Sequence, residues 1–353
     1  MKQMKNYLPL VVLLPAVGLV ACGGSGSGSD GSTSGNRTVG VVSSVDGSTV
    51  TVGKTTFDTS SVTVTGDVSS NSPGAIDPGM VVVVDGPVDK TSNHGTANHI
   101  DYDAEVEGKV MSNDCLSTPV PCSMDVMGQT VQVTDTTQYK SEMPGITGVD
   151  MIMEGAYVEV SGYSDGNGSI VATYVKVEDD HMEDSYGMEV EGMVANLDTA
   201  AGTFEIGGQT IHYDPNSINL TIEEGMNVEV YLSDDGMGNM VAIDIEAEDD
   251  DGKDGQAGDE VEISGMVTSD GVVDGMFDIN GETVMLSDSV KYDDGMTQDS
   301  IVKDAVIEVE GYLDDNNMLI VTEVSAESSV DNSSGSDSSG GSGDMPTDPM
   351  PVV

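Results

Sequence analysis

The sequence predicts an all-β protein of four tandem, small, five-stranded barrel modules carried between a disordered tether and a disordered tail. Three observations carry that prediction. One order of apolar, glycine and turn signals recurs four times along the chain. Among 353 residues there are 44 glycines, no Trp and only three Phe, while Val, Thr, Ile and Tyr abound, a composition of short strands and many turns. Apolar stripes at i, i+3 and i+4, which a helix would need, are absent.

Each unit begins with an apolar strand interrupted by glycine: Val39-Gly40-Val41, Val106-Glu107-Gly108-Lys109-Val110, Val190-Glu191-Gly192-Met193-Val194 and Ile263-Ser264-Gly265-Met266-Val267. These glycines lie 68, 84 and 73 residues apart, and the expectation is that each lets a barrel strand bend sharply. A hairpin follows, centred on Gly53-Lys54, Met127-Gly128, Gly207-Gly208 and Asn280-Gly281. Asn-Gly and Gly-Gly between alternating apolar residues suit a type I′ turn, which needs positive φ at both central positions. After a variable loop comes a turn glycine and an alternating strand, from Gly79, Gly155 and Gly225; the fourth copy has Asp304 there instead. A last strand closes each unit, at 97–102, 170–177, 241–245 and 319–324.

Five strands with an irregular connection between the third and fourth look OB-like. The expected modules are residues 38–103, 104–180, 187–248 and 259–327. An immunoglobulin-like array would want about 90–100 residues and seven strands per unit, more than these units hold. The same glycines and spacings resemble the bacterial domain of unknown function 5666 family, in which such units often occur in tandem on lipoproteins. The resemblance covers roughly residues 38–327, rests on no catalytic motif, and implies an architecture without an activity.

Ahead of the modules, Lys2 and Lys5 precede an apolar run from Leu8 to Ala21, the form of an export signal. The run is shorter than the ~20 residues a membrane-spanning helix needs, and Pro9 and Pro15 oppose such a helix. Leu19-Val20-Ala21-Cys22 resembles the lipobox of bacterial lipoproteins. That resemblance implies a signal peptide over 1–21 and acylation of Cys22, including the palmitate-type chains of that family. Several acyl chains hold firmly, since each buried CH₂ contributes roughly 0.8 kcal/mol. Gly23 follows the cysteine where an aspartate commonly retains such proteins in the inner membrane, so the expected address is the outer membrane, on either its periplasmic or its surface face. Residues 22–37, almost wholly Gly, Ser, Thr and Asp, read as a flexible tether with an end-to-end distance of about 20 Å. Residues 328–353, rich in Ser, Gly, Asp and Pro, read as a disordered tail.

The formal charge is −52, and it is unevenly spread. Residues 1–103 hold 9 acids and 5 bases, whereas residues 104–353 hold 54 acids and 6 bases. Such a field repels phosphate backbones, which excludes nucleic acid as a partner, and it attracts cations and favours solubility in a saline habitat.

Candidate chemistry is sparse. Cys115 and Cys122 flank a six-residue stretch inside the second unit and should form a structural disulfide in an oxidising compartment. The acidic linker makes Asp249, Asp250, Asp251 and Asp254 weak oxygen-ligand candidates, but no window fits an EF-hand loop, so the expectation is weak, diffuse calcium binding at most and no cofactor. The 22 methionines raise copper(I). Met193, Met226 and Met266 read instead as core filler at strand positions. Tyr157, Tyr163 and Tyr174 are weak candidates for a glycan platform. His94, His99, His181 and His212 are scattered, and no nucleophile elbow, zinc motif or phosphate loop is present. The chain therefore reads as a non-enzymatic envelope lipoprotein, a spacer or binding module, with calcium binding or glycan binding as alternatives and an envelope protein or glycan as partner. Replacing Cys22→Ser is expected to abolish acyl labelling and membrane attachment; a variant that is still processed and still membrane-bound overturns the anchor.

Overall fold

The computed structural model describes residues 36–68, 70–164, 169–178, 188–247 and 256–326. Cys22, the tether up to residue 35, Asp249, Asp250, Asp251, Asp254 and the tail lie outside them. Among the described residues there is no α-helix, only short 3₁₀ turns such as Pro73–Ala75, Val149–Met151 and Gln298–Ser300. The chain is all-β and carries four repeats.

The first repeat contains β1 (Asn36–Asp46), β2 (Thr49–Val52), β3 (Thr55–Asp58), β4 (Thr63–Gly66), β5 (Val81–Asp85), β6 (Val88–Asp89), β7 (His94–Thr96) and β8 (His99–Tyr102). The second contains β9 (Val106–Asn113), β10 (Cys122–Val126), β11 (Gln129–Ser141), β12 (Tyr157–Ser164) and β13 (Ser169–Val177). The third contains β14 (Glu189–Met193), β15 (Ala195–Asp198), β16 (Thr203–Ile206), β17 (Gln209–His212), β18 (Asn227–Asp234) and β19 (Met240–Ala247). The fourth contains β20 (Glu260–Met266), β21 (Met276–Ile279), β22 (Glu282–Tyr292), β23 (Val306–Leu313) and β24 (Leu319–Ala326).

Local chemistry explains the hairpins. Met127-Gly128, Gly207-Gly208 and Asn280-Gly281 have positive φ at both positions, the geometry that matches strand twist. At Gly53-Lys54 only the glycine has it. Opposite residues then alternate between core and outside, as in Val50 opposite Phe57 and Phe277 opposite Val284, all four buried. All three phenylalanines of the chain are buried in these hairpins, where they supply the bulk that Val and Ile alone would not.

A second motif repeats with the same hydrogen bonds in every unit. Gly79, Gly155, Gly225 and Asp304 donate their N–H to the carbonyls of Val42, Val110, Val194 and Val267 at 2.8–2.9 Å. Those valines donate back to Met80, Ala156, Met226 and Ala305. All four turn residues are left-handed, with φ of 100°, 85°, 81° and 67°. An isoleucine sits three residues ahead each time, and Ile76, Ile152, Ile222 and Ile301 are all buried. Asp304 thus does the work of the glycine missing from the fourth copy, since a short polar residue tolerates this backbone region better than most.

The first-strand glycines answer a different need from the expected bend. A Cβ on Gly108 would lie 2.5 Å from Met127, and one on Gly265 would lie 2.3 Å from the Asn280 side chain. Each hairpin tip folds down onto its own first strand there. In the first repeat, a Cβ on Gly40 would meet Ser264 of the fourth repeat at 2.9 Å.

In every repeat the strand order is first, second, third, fifth, fourth, with third and fifth parallel, as in β11–β13, β17–β19 and β22–β24. In the first repeat both of these strands are split, giving β3–β7 and β4–β8. The expectation of four separate closed barrels is corrected by the ladders. A continuous ladder returns to its first strand only in the second repeat, through β9–β10. The ring is interrupted between β7 and β8 in the first repeat and between β14 and β15 in the third, and in the fourth it meets only at the bridge Val267–Ile279.

The sheets also run on across repeats. β1 pairs in parallel with β20, which joins the first repeat to the fourth in a 13-stranded sheet. β9 pairs antiparallel with β14, which joins the second to the third in an 11-stranded sheet. The cores follow: one cluster spans the second and third repeats, the fourth repeat's core takes in Val39, and the first repeat's core takes in Tyr174.

Backbone strain at the turn motif is separable from packing. A Cβ on Gly155 meets nothing within 4 Å, so Gly155→Ala is expected to cost about 1–2 kcal/mol from the left-handed backbone alone. Asp304→Gly is expected to be neutral or stabilising. Urea unfolding of both variants checks this, and equal effects would refute the shared role.

Candidate functional site

The four repeats meet around a cleft of about 580 Å³. Its walls carry Asp101 and Asp103 from the first repeat, Glu105 from the second, Glu191, Glu205 and Glu224 from the third, and Glu282 from the fourth. Among the described residues no Lys, Arg or His lines it. The hairpin turns Gly207-Gly208 and Asn280-Gly281 both reach into the cleft, where their slim backbone leaves room. Gln129, buried beneath, donates its Nε2 to the carbonyls of Glu191 at 3.2 Å and Glu105 at 3.4 Å, tying the second repeat to the third. Several carboxylates are oriented by local donors. Glu224 accepts from the backbone N–H of Asn196 and Leu197 at 3.0 and 2.9 Å, and Glu205 accepts from Asn196 Nδ2 at 2.7 Å. Glu191 accepts from Asn227 Nδ2 at 3.3 Å. These neutral donors fix the side chains without cancelling their charge, so the cleft is a concentrated negative field between apolar strand walls.

Two acidic seams run through the assembly. At the junction of first and fourth repeats, Glu262, Glu310 and Glu323 stand opposite one another on β20, β23 and β24. Glu308, 1% exposed, accepts from Lys54 Nζ at 3.1 Å and from Ser325 Oγ at 3.2 Å. Lys54 also pairs with Asp294 at 3.3 Å, and Lys90 pairs with Glu310 at 2.9 Å and Glu260 at 3.6 Å. Both lysines belong to the first repeat and all their partners to the fourth. Burial, with Glu308 and Glu310 nearby, still pushes Glu262 up to about 8, and burial pushes Glu308 upward despite Lys54.

At the junction of second and third repeats the registers set Lys176, Glu159, Glu107, Glu189 and Tyr231 in one row across β13, β12, β9, β14 and β18. The first repeat covers this row. Tyr102 Oη donates to Glu159 Oε1 at 2.7 Å, while Lys176 pairs with Glu159 at 2.9 Å and with Glu178. These seam glutamates escape a sequence reading because Val158-Glu159-Val160 and Ile307-Glu308-Val309 look like ordinary strands with the acid facing solvent. The recurrence of Glu159, Glu229 and Glu308 two residues into successive fourth strands is the one signal that could have flagged them.

The tyrosines expected to form a platform do not share an exposed face. Tyr163 is buried against Val41 and Met266, from the first and fourth repeats. Tyr174 is buried in the first repeat's core, with its hydroxyl donating to Asp77 at 3.0 Å. Tyr157 is half-buried with Lys109 Nζ 5.4 Å from its ring centre. Tyr163 and Tyr174 are thus buried between modules, whereas Tyr157 stays partly exposed beside Lys109 of its own repeat. Met266 is buried and Met226 partly so, whereas Met193 is 48% exposed and lines the cleft, not the core. The acidic turn at Asp314 is locally satisfied, accepting from the N–H of Asn316 at 2.7 Å and Met318 at 2.9 Å.

A family model described as Domain of unknown function (DUF5666) matches residues 39–101, 107–176, 191–246 and 272–325. No curated protein matches the chain. Among solved structures, one titled "drosophila Unr CSD456" is similar at 16% identity over 63% of this chain and 97% of that one. Its TM-score of 0.16 is too low to carry anything about fold or ligand.

The second family match spans the loop closed by Cys115–Cys122, which are disulfide-bonded with Cα atoms 5.2 Å apart. With Asp114 they are also the only three potential ligands, among the described residues, whose donor atoms lie mutually within 4.8 Å; the disulfide consumes two of them. Asn113 accepts from Cys115 N–H at 2.9 Å, and Asp114 accepts from Ser123 N–H at 2.6 Å. The double change Cys115→Ser, Cys122→Ser is expected to cost about 2–3 kcal/mol through the freed loop. Urea unfolding followed by tyrosine fluorescence checks this; no loss would mean those two hydrogen bonds hold the loop by themselves.

Proposed function

The chain belongs to the family described as Domain of unknown function (DUF5666), and from that premise we propose a non-enzymatic, lipid-anchored outer-membrane protein that binds cationic ligands in its central cleft. Each repeat keeps an OB-like strand order, with third and fifth strands parallel, within open sheets shared between repeats. The observation that carries the proposal is the cleft itself: among the described residues, seven carboxylates from four repeats line it with no basic side chain between them. Residues far apart in sequence thus concentrate one sign of charge in a concave, partly apolar space, which raises the local concentration of counter-ions and speeds their capture.

The ligand class that fits is a hydrated divalent cation or the lysine and arginine side chains of a basic peptide. Among the described residues no three cleft carboxylates bring their oxygens mutually within 4.8 Å, whereas a bare calcium ion wants six to eight oxygen ligands at 2.3–2.6 Å. A passive spacer is less well supported. The fourth repeat pairs with the first, so the body folds back on itself instead of extending its reach module by module.

Calorimetric titration of calcium chloride and, separately, of an oligolysine peptide tests the reading. Saturable binding that weakens with salt and falls at least tenfold in the combined variant Asp103→Asn, Glu191→Gln, Glu282→Gln is expected. Absence of saturable heat for both probes, or binding indifferent to the variant, overturns it.

A further inference from the structure

We propose that the seam between the second and third repeats is a proton-held latch, in which Asp67, Glu107 and Glu189 share protons and release them as the seam opens. The geometry demands some such device. Glu107 on β9 and Glu189 on β14 stand directly opposite in an antiparallel pair, a position where like charges destabilise. Glu189 is only 2% exposed, and its Oε1 is buried without a hydrogen-bond partner. A buried carboxylate with an empty acceptor costs much more than a carboxyl.

Among the described residues the surroundings offer no cationic side chain to Glu189. On its own strand Glu191 is acidic; on β18 it faces Tyr231 and Glu229; across β9 it faces Glu107. From the first repeat Asp67 approaches, its Oδ2 accepting from the N–H of Ala104 at 3.0 Å, with Asp101 behind it. The nearest cation in the row, Lys176, is engaged by Glu159 and Glu178. The first–fourth seam solves the same problem differently, with Lys54 and Lys90. Among the described residues no three carboxylates of the second–third seam bring their oxygens mutually within 4.8 Å, whereas a proton needs only two.

The direction of the titration agrees. Burial, with Glu159, Asp67 and Glu178 nearby, pushes Glu107 up to about 8, and burial with Asp67, Glu229 and Glu107 pushes Glu189 up to about 11. Asp67 is also raised, chiefly by burial. Such groups belong to one coupled titration rather than to single residues. Each raised carboxyl holds in the folded state a proton that the unfolded chain would release. Their contribution is therefore fully present below the ordinary value of 4.5 and is lost as pH rises toward the folded values. The latch closes in acid and loosens in alkali. It lies beside the cleft, because Glu191 lines the cleft two residues after Glu189 on the same strand.

Infrared spectroscopy and thermal melting of the full chain test this. A protonated-carboxyl C=O band is expected at neutral pH, reduced in Glu189→Gln, and the wild-type melting midpoint should fall between about pH 6 and about pH 9. The double variant Glu107→Gln, Glu189→Gln should keep roughly half or less of that slope, the remainder coming from the other raised carboxyls, Asp67, Glu262 and Glu308. An absent band at neutral pH, or an undiminished slope in the double variant, overturns the latch. If the double variant does not fold, the wild-type band and its loss in alkali decide alone.

Discussion

A β-strand has two hydrogen-bonding edges, and in each repeat the second strand covers only the later part of the first. β2 reaches Val42–Asp46 of β1, and β10 reaches Val110–Asn113 of β9. The earlier part of each opening strand is left with a bare edge, which would invite pairing with any strand in solution. Four such edges are satisfied two by two, β1 with β20 and β9 with β14. Everything else in the assembly follows from that pairing: the two long sheets, the shared core of the second and third repeats, and the cleft enclosed where the two pairs of repeats face each other.

The pairing carries an electrostatic consequence. Outward-facing glutamates near the start of the paired strands are brought together in a chain whose formal charge is −52. Buried charge is tolerated only when matched, and the two seams match it by different means. The first–fourth seam uses lysines: Lys54 and Lys90 stand against Glu308 and Glu310. The second–third seam has Lys176 for Glu159 and Glu178 but, among the described residues, no cation for Glu189, and there the protein falls back on protons.

The cleft and the seams differ in kind although both are acidic. Cleft carboxylates such as Glu224 and Glu205 are held by backbone and amide donors at the rim, so their charge stays available. Seam carboxylates are covered by neighbouring repeats, and their charge is suppressed or paired. One protein surface thus supplies both an attractive field for cations and the adhesive between its own modules.

Local chemistry made the repeats legible. Hairpin glycines, alternating valines and the left-handed turn at residues 79, 155, 225 and 304 act through contacts within a few residues or within one unit, so the order of strands could be read in line. The cysteine pair was legible for the same reason, being seven residues apart. What the tertiary structure alone decided lies between units. An alternating strand specifies which side chains point outward but not what they meet, so Glu107, Glu189 and Glu308 look like solvated acids, and Tyr163 and Tyr174 fit a ligand platform as well as strand packing. Whether an outward face meets water or another repeat depends on which bare strand edges find each other across 80 to 220 residues of chain, and no local pattern encodes that choice.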